Sequence, residues 1–229
     1  MSTALVSCLP ESKTNRITVA SPNAPPRPRV APRFNLKNYS HNPRFWAYAV
    51  GWLVTQHKGC QLSPKRMASA IYLWCSSFHY IMLACQKGEE QTKEFQRGVA
   101  FLEQYLMVLI WRYQRTRPSA SVNCYTVYIL LVLACKFVYD DSDFEANLFV
   151  SWFARWLNTG ELDVHEVTKD ESKEFQKEVR LFNQQLMSYF KALDYDLHVS
   201  AGPGKVRFEK VLHLVGEAYT NRKPPVYSQ

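Results

Sequence analysis

One lysine, Lys136, interrupts the apolar run Leu130-Leu131-Val132-Leu133-Ala134-Cys135-Lys136-Phe137-Val138, and two acids, Asp140 and Asp141, follow it. Taking an ammonium out of water is expensive, so a lysine inside a buried segment needs a route to the surface or a waiting partner. A lysine at a helix C-terminus, held by the helix dipole and by Asp140 four residues on, satisfies the first requirement. A contact with another protein satisfies the second. A companion segment, Leu193-Asp194-Tyr195-Asp196-Leu197-His198-Val199-Ser200, follows some distance along the chain, and the pair together points to a protein that docks on another protein.

Other chemistries fail on spacing. Asp140, Asp141 and Asp143 suggest a calcium loop, but Ala146 stands where the loop needs glycine and Trp152 where it needs glutamate. His41, His57, His79, His165, His198 and His213 form no His-x-x-x-His pair, and no Cys/His cluster accompanies them, so no metal site is expected. Neither a nucleophile elbow, a P-loop nor a dinucleotide fingerprint is present. With no catalytic constellation, the chain reads as a non-enzyme that needs no cofactor. Ser21-Pro22 and Ser63-Pro64 are candidate proline-directed phosphorylation sites, Ser63 being better read as a helix cap.

The elements that position these residues follow from composition and periodicity. The 229 residues are 47% hydrophobic and 14% aromatic with only 8 glycines, a balance that favours packed helices and a core needing no disulfide or metal. The six cysteines lack any Cys-x-x-Cys pairing and read as reduced thiols of a cytoplasmic or nuclear protein. Lys136 breaks the longest apolar run well short of a membrane span. The net charge of +8 is uneven: residues 1–88 hold 11 Lys/Arg and one acid, whereas residues 89–229 hold 17 Lys/Arg and 19 acids. The basic part is an arm suited to phosphate, acidic lipid or an acidic partner.

Residues 1–40 read as a disordered, proline-rich basic arm, whose 21–33 stretch favours extended geometry and suits an SH3-type groove. Order is expected from about Pro43, with a first helix to Gln56 and a second, capped by Ser63 with Pro64 at its first position, to about Cys85. Met67, Ile71, Trp74, Phe78 and Met82 form the second helix's stripe. A third helix runs from Phe95 to Arg115. The fourth, about 122–139, is apolar on nearly every face, as a central helix with all others packed around it would be. A short aromatic fifth helix spans 147–157. Thr168-x-x-Glu171 resembles a capping box for a sixth, whose Phe175, Val179, Phe182, Leu186, Tyr189 or Phe190, and Leu193 share one face. After Gly202-Pro203-Gly204 a last helix covers 206–219.

This order of helices, with Leu133-Ala134-Cys135-Lys136-Phe137 before Asp140-Asp141 and the 193–199 segment after the long helix, resembles the cyclin box. Asn147 and Trp152 stand where the fungal phosphate-response type of cyclins carries an Asn and a short following helix. The resemblance covers about 94–200. It implies an all-α domain of about five helices around a buried central one, with flanking helices, over 43–200, then a C-terminal helix and tail over 201–229. It also implies a cyclin-dependent protein kinase as partner, held in part by a lysine and a glutamate that bond the edge of a mobile kinase helix. Lys136 matches the lysine, with Asp140 beside it, whereas the glutamate position falls on Leu186. Leucine cannot accept the charged hydrogen bonds, each worth roughly 1.5–3 kcal/mol, that the glutamate would make. An apolar contact replaces them, or Gln184 or Gln185 takes over after a small helix rotation. Lys136, Asp140, Gln185 and Leu186 are therefore the expected partner surface of a kinase-binding, kinase-activating subunit. A non-activating adaptor of the same fold is the alternative. Nucleic-acid binding is a third possibility, motivated by the basic first 88 residues and opposed by the net charge of about −2 over the rest.

Overall fold

A computed structural model describes residues 34–56, 60, 62–83, 88–140, 146–159, 172–195, 197 and 205–221. Seven helices and no strand lie among them: α1 (Pro43–Thr55), α2 (Pro64–Met82), α3 (Lys93–Thr116), α4 (Cys124–Val138), α5 (Ala146–Thr159), α6 (Lys173–Ala192) and α7 (Lys205–Thr220). The all-α architecture expected from composition is present. The extended arm and its SH3-type motif lie outside the described residues, as do Thr168 and Glu171.

Local chemistry explains where each helix starts. Asn42, Ser63, Thr92, Asn123 and Ser172 each accept a bond from an orphan backbone N–H of the first turn, and Pro43 and Pro64 occupy first positions where a missing N–H costs nothing. The cap of α6 is thus Ser172, which takes the N–H of Phe175 at 3.1 Å, rather than Thr168. The described chain also begins earlier than Pro43. Phe34 is buried, stacks on Tyr39 with ring centroids 5.4 Å apart, and fills the space above Gly216 of α7. A methyl at Gly216 would overlap the Phe34 ring.

Two helices share the centre. In α4 every residue from Thr126 to Cys135 is buried, as its unbroken apolar run requires. Burial alone does not make it the sole hub: the densest packing joins α1 to α2 and α3, and α7 lies on α1. Glycine permits the closest of these approaches. A Cβ on Gly51 would sit 2.9 Å from both the Ala68 amide nitrogen and the Pro64 carbonyl oxygen, so α1 and α2 meet backbone to backbone there. Between α2, α4 and α5 the core is aromatic. Trp74 stands edge-on to Tyr128 and Trp156, and the Tyr128 hydroxyl donates to the Phe149 carbonyl at 2.8 Å, which pins α5 to α4.

Candidate functional site: the C-terminal end of α4

Lys136 occupies the last turn of α4, where helix-end carbonyls favour a cation. It is half-buried, and its ammonium lies 5.8 Å from the centroid of Phe149 on α5, close enough for attraction to the ring face. The lysine therefore leans toward α5. Phe137 turns the other way and stacks on Tyr105 of α3, centroids 5.4 Å apart and 17° from parallel. The chain leaves the helix through Tyr139 to Asp140, which is exposed at φ +48°, a conformation that aspartate tolerates better than most residues.

Beneath this end, three helices are tied at one histidine. Nδ1 of His79 (α2) lies 2.5 Å from the Tyr139 hydroxyl, its ring stands edge-on to Phe95 of α3, and its far edge lies against Gly98. Burial lowers the affinity of His79 for a proton. A cleft of about 370 Å³ opens beside it, edged by Glu89, Thr92 and Glu94.

Residues 193–195 follow α6 along α3, and Leu197 reaches the Lys136 end through Tyr105. Leu193 is buried and its carbonyl accepts from Arg112 of α3 at 3.4 Å. Asp194 and Tyr195 then adopt φ +56° and +54°, two successive left-handed residues that reverse the chain at a cost of order 1–3 kcal/mol each. The Tyr195 N–H closes onto the Phe190 carbonyl, and its ring stands edge-on to Phe190. From there the Leu197 carbonyl accepts the hydroxyl of Tyr105. Tyr105 thus joins the two segments that the sequence singles out.

Leu186 and Gln185 lie elsewhere. On α6, Phe182 meets Tyr125, and the Tyr189 hydroxyl pairs with the Thr126 hydroxyl at 3.1 Å, so α6 crosses the beginning of α4. Ten residues separate Thr126 from Lys136, about 15 Å of helix. Lys136 and Asp140 are brought together at one end of α4, while Leu186 packs toward the other. Leu186 is 9% exposed and belongs to the core. Gln185 is exposed and edges a separate apolar groove of about 420 Å³ between α5 and α6, floored by Tyr125, Phe153 and Phe182 and flanked by Leu157 and Leu181.

Periodicity alone hides two members of the Lys136 end. Phe101 and Tyr105 are spaced four apart on α3, which places them on one face and reads as core, yet Phe101 is 55% exposed and Phe137 37% exposed. Phe137 stacks on Tyr105, and helical spacing puts exposed Phe101 one turn before Tyr105 on the same face of α3. Burial pushes the Cys75 and Cys135 thiols up, so neither supplies a thiolate nucleophile. Among the described residues no group of three or more His, Cys, Asp or Glu side chains could hold a metal ion, and no helix is long and apolar enough to cross a membrane. Comparison of the chain with protein-family models, with curated proteins and with solved structures gave no match.

Proposed function

We propose that the protein is a non-catalytic, cyclin-like regulatory subunit that binds and activates a cyclin-dependent protein kinase in the cytoplasm or nucleus. The partner surface is the C-terminal end of α4. The observation that carries this reading is the convergence, through Tyr105, of the helix end bearing Lys136 and the segment from Leu193 to Leu197. Those two segments also carry the cyclin-box resemblance, and nothing in their separation along the chain requires them to meet.

The surface has the parts a docking site uses. Exposed Phe101 and Phe137 offer rigid apolar contact, and such aromatic anchors dominate the energy of protein interfaces. Lys136 and Asp140 at its margin provide opposite charges that orient a partner more than they add affinity. Leu186 plays no direct part in this version of the site. The carboxylate missing from its position is then a consequence of where α6 crosses α4, and Leu186 contributes packing. Titrating a purified cyclin-dependent kinase onto the protein, with phosphotransfer followed in parallel, tests the proposal: Lys136→Ala and Phe137→Ala each weaken binding and activation while leaving the fold intact.

A second reading, a non-activating adaptor, is favoured by the groove between α5 and α6, where Leu157 is 61% and Leu181 47% exposed. An adaptor engages a partner helix in such a groove. Under that reading, Leu181→Lys abolishes capture and Lys136→Ala leaves it unchanged.

A further inference from the structure

The most unusual side chain in the bundle is Glu103. It is 0% exposed, in the middle of α3, and neither carboxylate oxygen has a hydrogen-bond partner. The groups that face it come from two other helices, with α4 beyond the second. From α1 the facing group is the backbone N–H of Ala47, which favours the ionised form and offsets only the smaller part of the burial effect, because the α1 ladder already engages it and it makes no well-formed hydrogen bond to either oxygen. From α2 it is the Cys75 thiol, whose own proton affinity is raised by burial, then by Glu103 and by Cys135 of α4. Among the described residues no Lys, Arg or His acts on it. A carboxylate so placed would carry an unpaired charge through the best-packed part of the molecule, at a cost that protonation removes.

We propose that Glu103 is carried as the neutral acid in the folded bundle, and that its loss of a proton loosens the α1–α2–α3–α4 packing, making the fold a pH-sensitive device. The ligand of this site is the proton. Buried beyond reach of water, the side chain gives up its proton only when the four helices part or take in solvent. The device acts on the helix pair α3 and α4 that carries Tyr105 and Phe137, and it holds whether or not a kinase is the partner.

The sign follows from linkage. Burial raises the affinity of Glu103 for its proton well above the ordinary value of 4.5. Below that value both folded and unfolded chains hold the proton. As pH rises past it the unfolded chain releases the proton and the folded one does not, so stability falls until the folded chain titrates as well. Groups titrating on either side bound the useful window. His79 binds its proton more weakly than the ordinary 6.5 and acts below that pH, and the thiols of Cys75 and Cys135 act only above 9.0.

The test is chemical denaturation of the full chain between about pH 7 and about pH 8.5, wild type beside Glu103→Gln, which keeps the shape of the neutral acid and cannot ionise. The amide shifts the baseline at every pH by the same amount and leaves the slope to the proton. The unfolded-to-folded ratio of the wild type is expected to grow relative to that of Glu103→Gln by up to about tenfold per pH unit. Parallel profiles overturn the proposal. Should Glu103→Gln not fold, infrared spectroscopy of the wild type decides. A protonated carboxylic-acid carbonyl band persisting at neutral pH in the folded chain and lost on unfolding supports it, and no such band overturns it.

Discussion

Tyr105 lies flat against Phe137 and spends its hydroxyl on the carbonyl of Leu197, so one side chain of α3 holds both the end of α4 and the segment that follows α6. Removing only the hydroxyl separates the two roles. Tyr105→Phe keeps the stack and leaves the Leu197 carbonyl without its donor. A loss of about 1 kcal/mol in denaturant unfolding is expected, with faster amide exchange around Asp194 and Tyr195, two left-handed residues between Leu193 and Leu197. Unchanged exchange there would show that the hydroxyl does not restrain the segment.

Gly98 and His79 form a second such pair. A Cβ on Gly98 would overlap the His79 ring at Cε1 and Nε2, so the ring, with its contact to Tyr139, or the helix carrying it must shift. Gly98→Ala should cost about 1–3 kcal/mol by overpacking. Combining it with His79→Ala, which opens the space, should cost less than the sum of the single changes. Strict additivity in that double-mutant cycle would mean that the two residues do not press on each other.

Acid should weaken the fold through the same histidine. Burial lowers its proton affinity below the ordinary 6.5, so above that pH both states are neutral and the stability is fully present. As pH falls below it the unfolded chain takes up a proton first, and stability declines until the folded form is protonated too. Thermal unfolding of the wild type should therefore show a midpoint that drops on acidification below pH 6.5, and His79→Gln should reduce that drop. An identical acid limb in both proteins would assign it to other groups.

Leu186 tests the division between core and surface. Leu186→Glu places a carboxylate at a position 9% exposed, among Phe182 and the residues it packs on, and should destabilise by about 3 kcal/mol or more. Gln185→Ala, one residue away and exposed, should change stability by less than about 0.5 kcal/mol. Circular dichroism with urea melts checks both. A stable Leu186→Glu protein would mean that the helix face turns outward and that this position is open to a partner after all.

Much of this architecture was legible in the sequence because it rests on local rules. Ser63-Pro64 followed by Met67, Ile71, Trp74 and Phe78 states a cap and a buried face, and α2 starts and buries those residues accordingly. Asn123 was harder to recognise, since an asparagine before an apolar run marks a cap only once the helix boundary is known; it accepts from both the N–H and the hydroxyl of Thr126. The relation of Lys136 to Leu186 was beyond reach for a different reason. Helical spacing fixes the face a residue occupies, not the point at which one helix crosses another, and that crossing is set by Tyr189 on Thr126 and Phe182 against Tyr125. Glu103 lies between Leu102 and the stripe of Val99 and Leu106, where a charge reads as the solvent edge of the face; only the packing of α1 and α2 over it reveals it as interior.

The most direct measurement is affinity purification of the full chain from its own cells with mass-spectrometric identification of what it holds, wild type beside Lys136→Ala and a Phe101→Ala/Phe137→Ala variant, each first shown to melt like the wild type. The result predicted here is recovery of a cyclin-dependent kinase with the wild type and its loss, by tenfold or more, with both variants. Absence of any such kinase would contradict the proposed function. Equal recovery by all three proteins would contradict the placement of the partner surface at the end of α4.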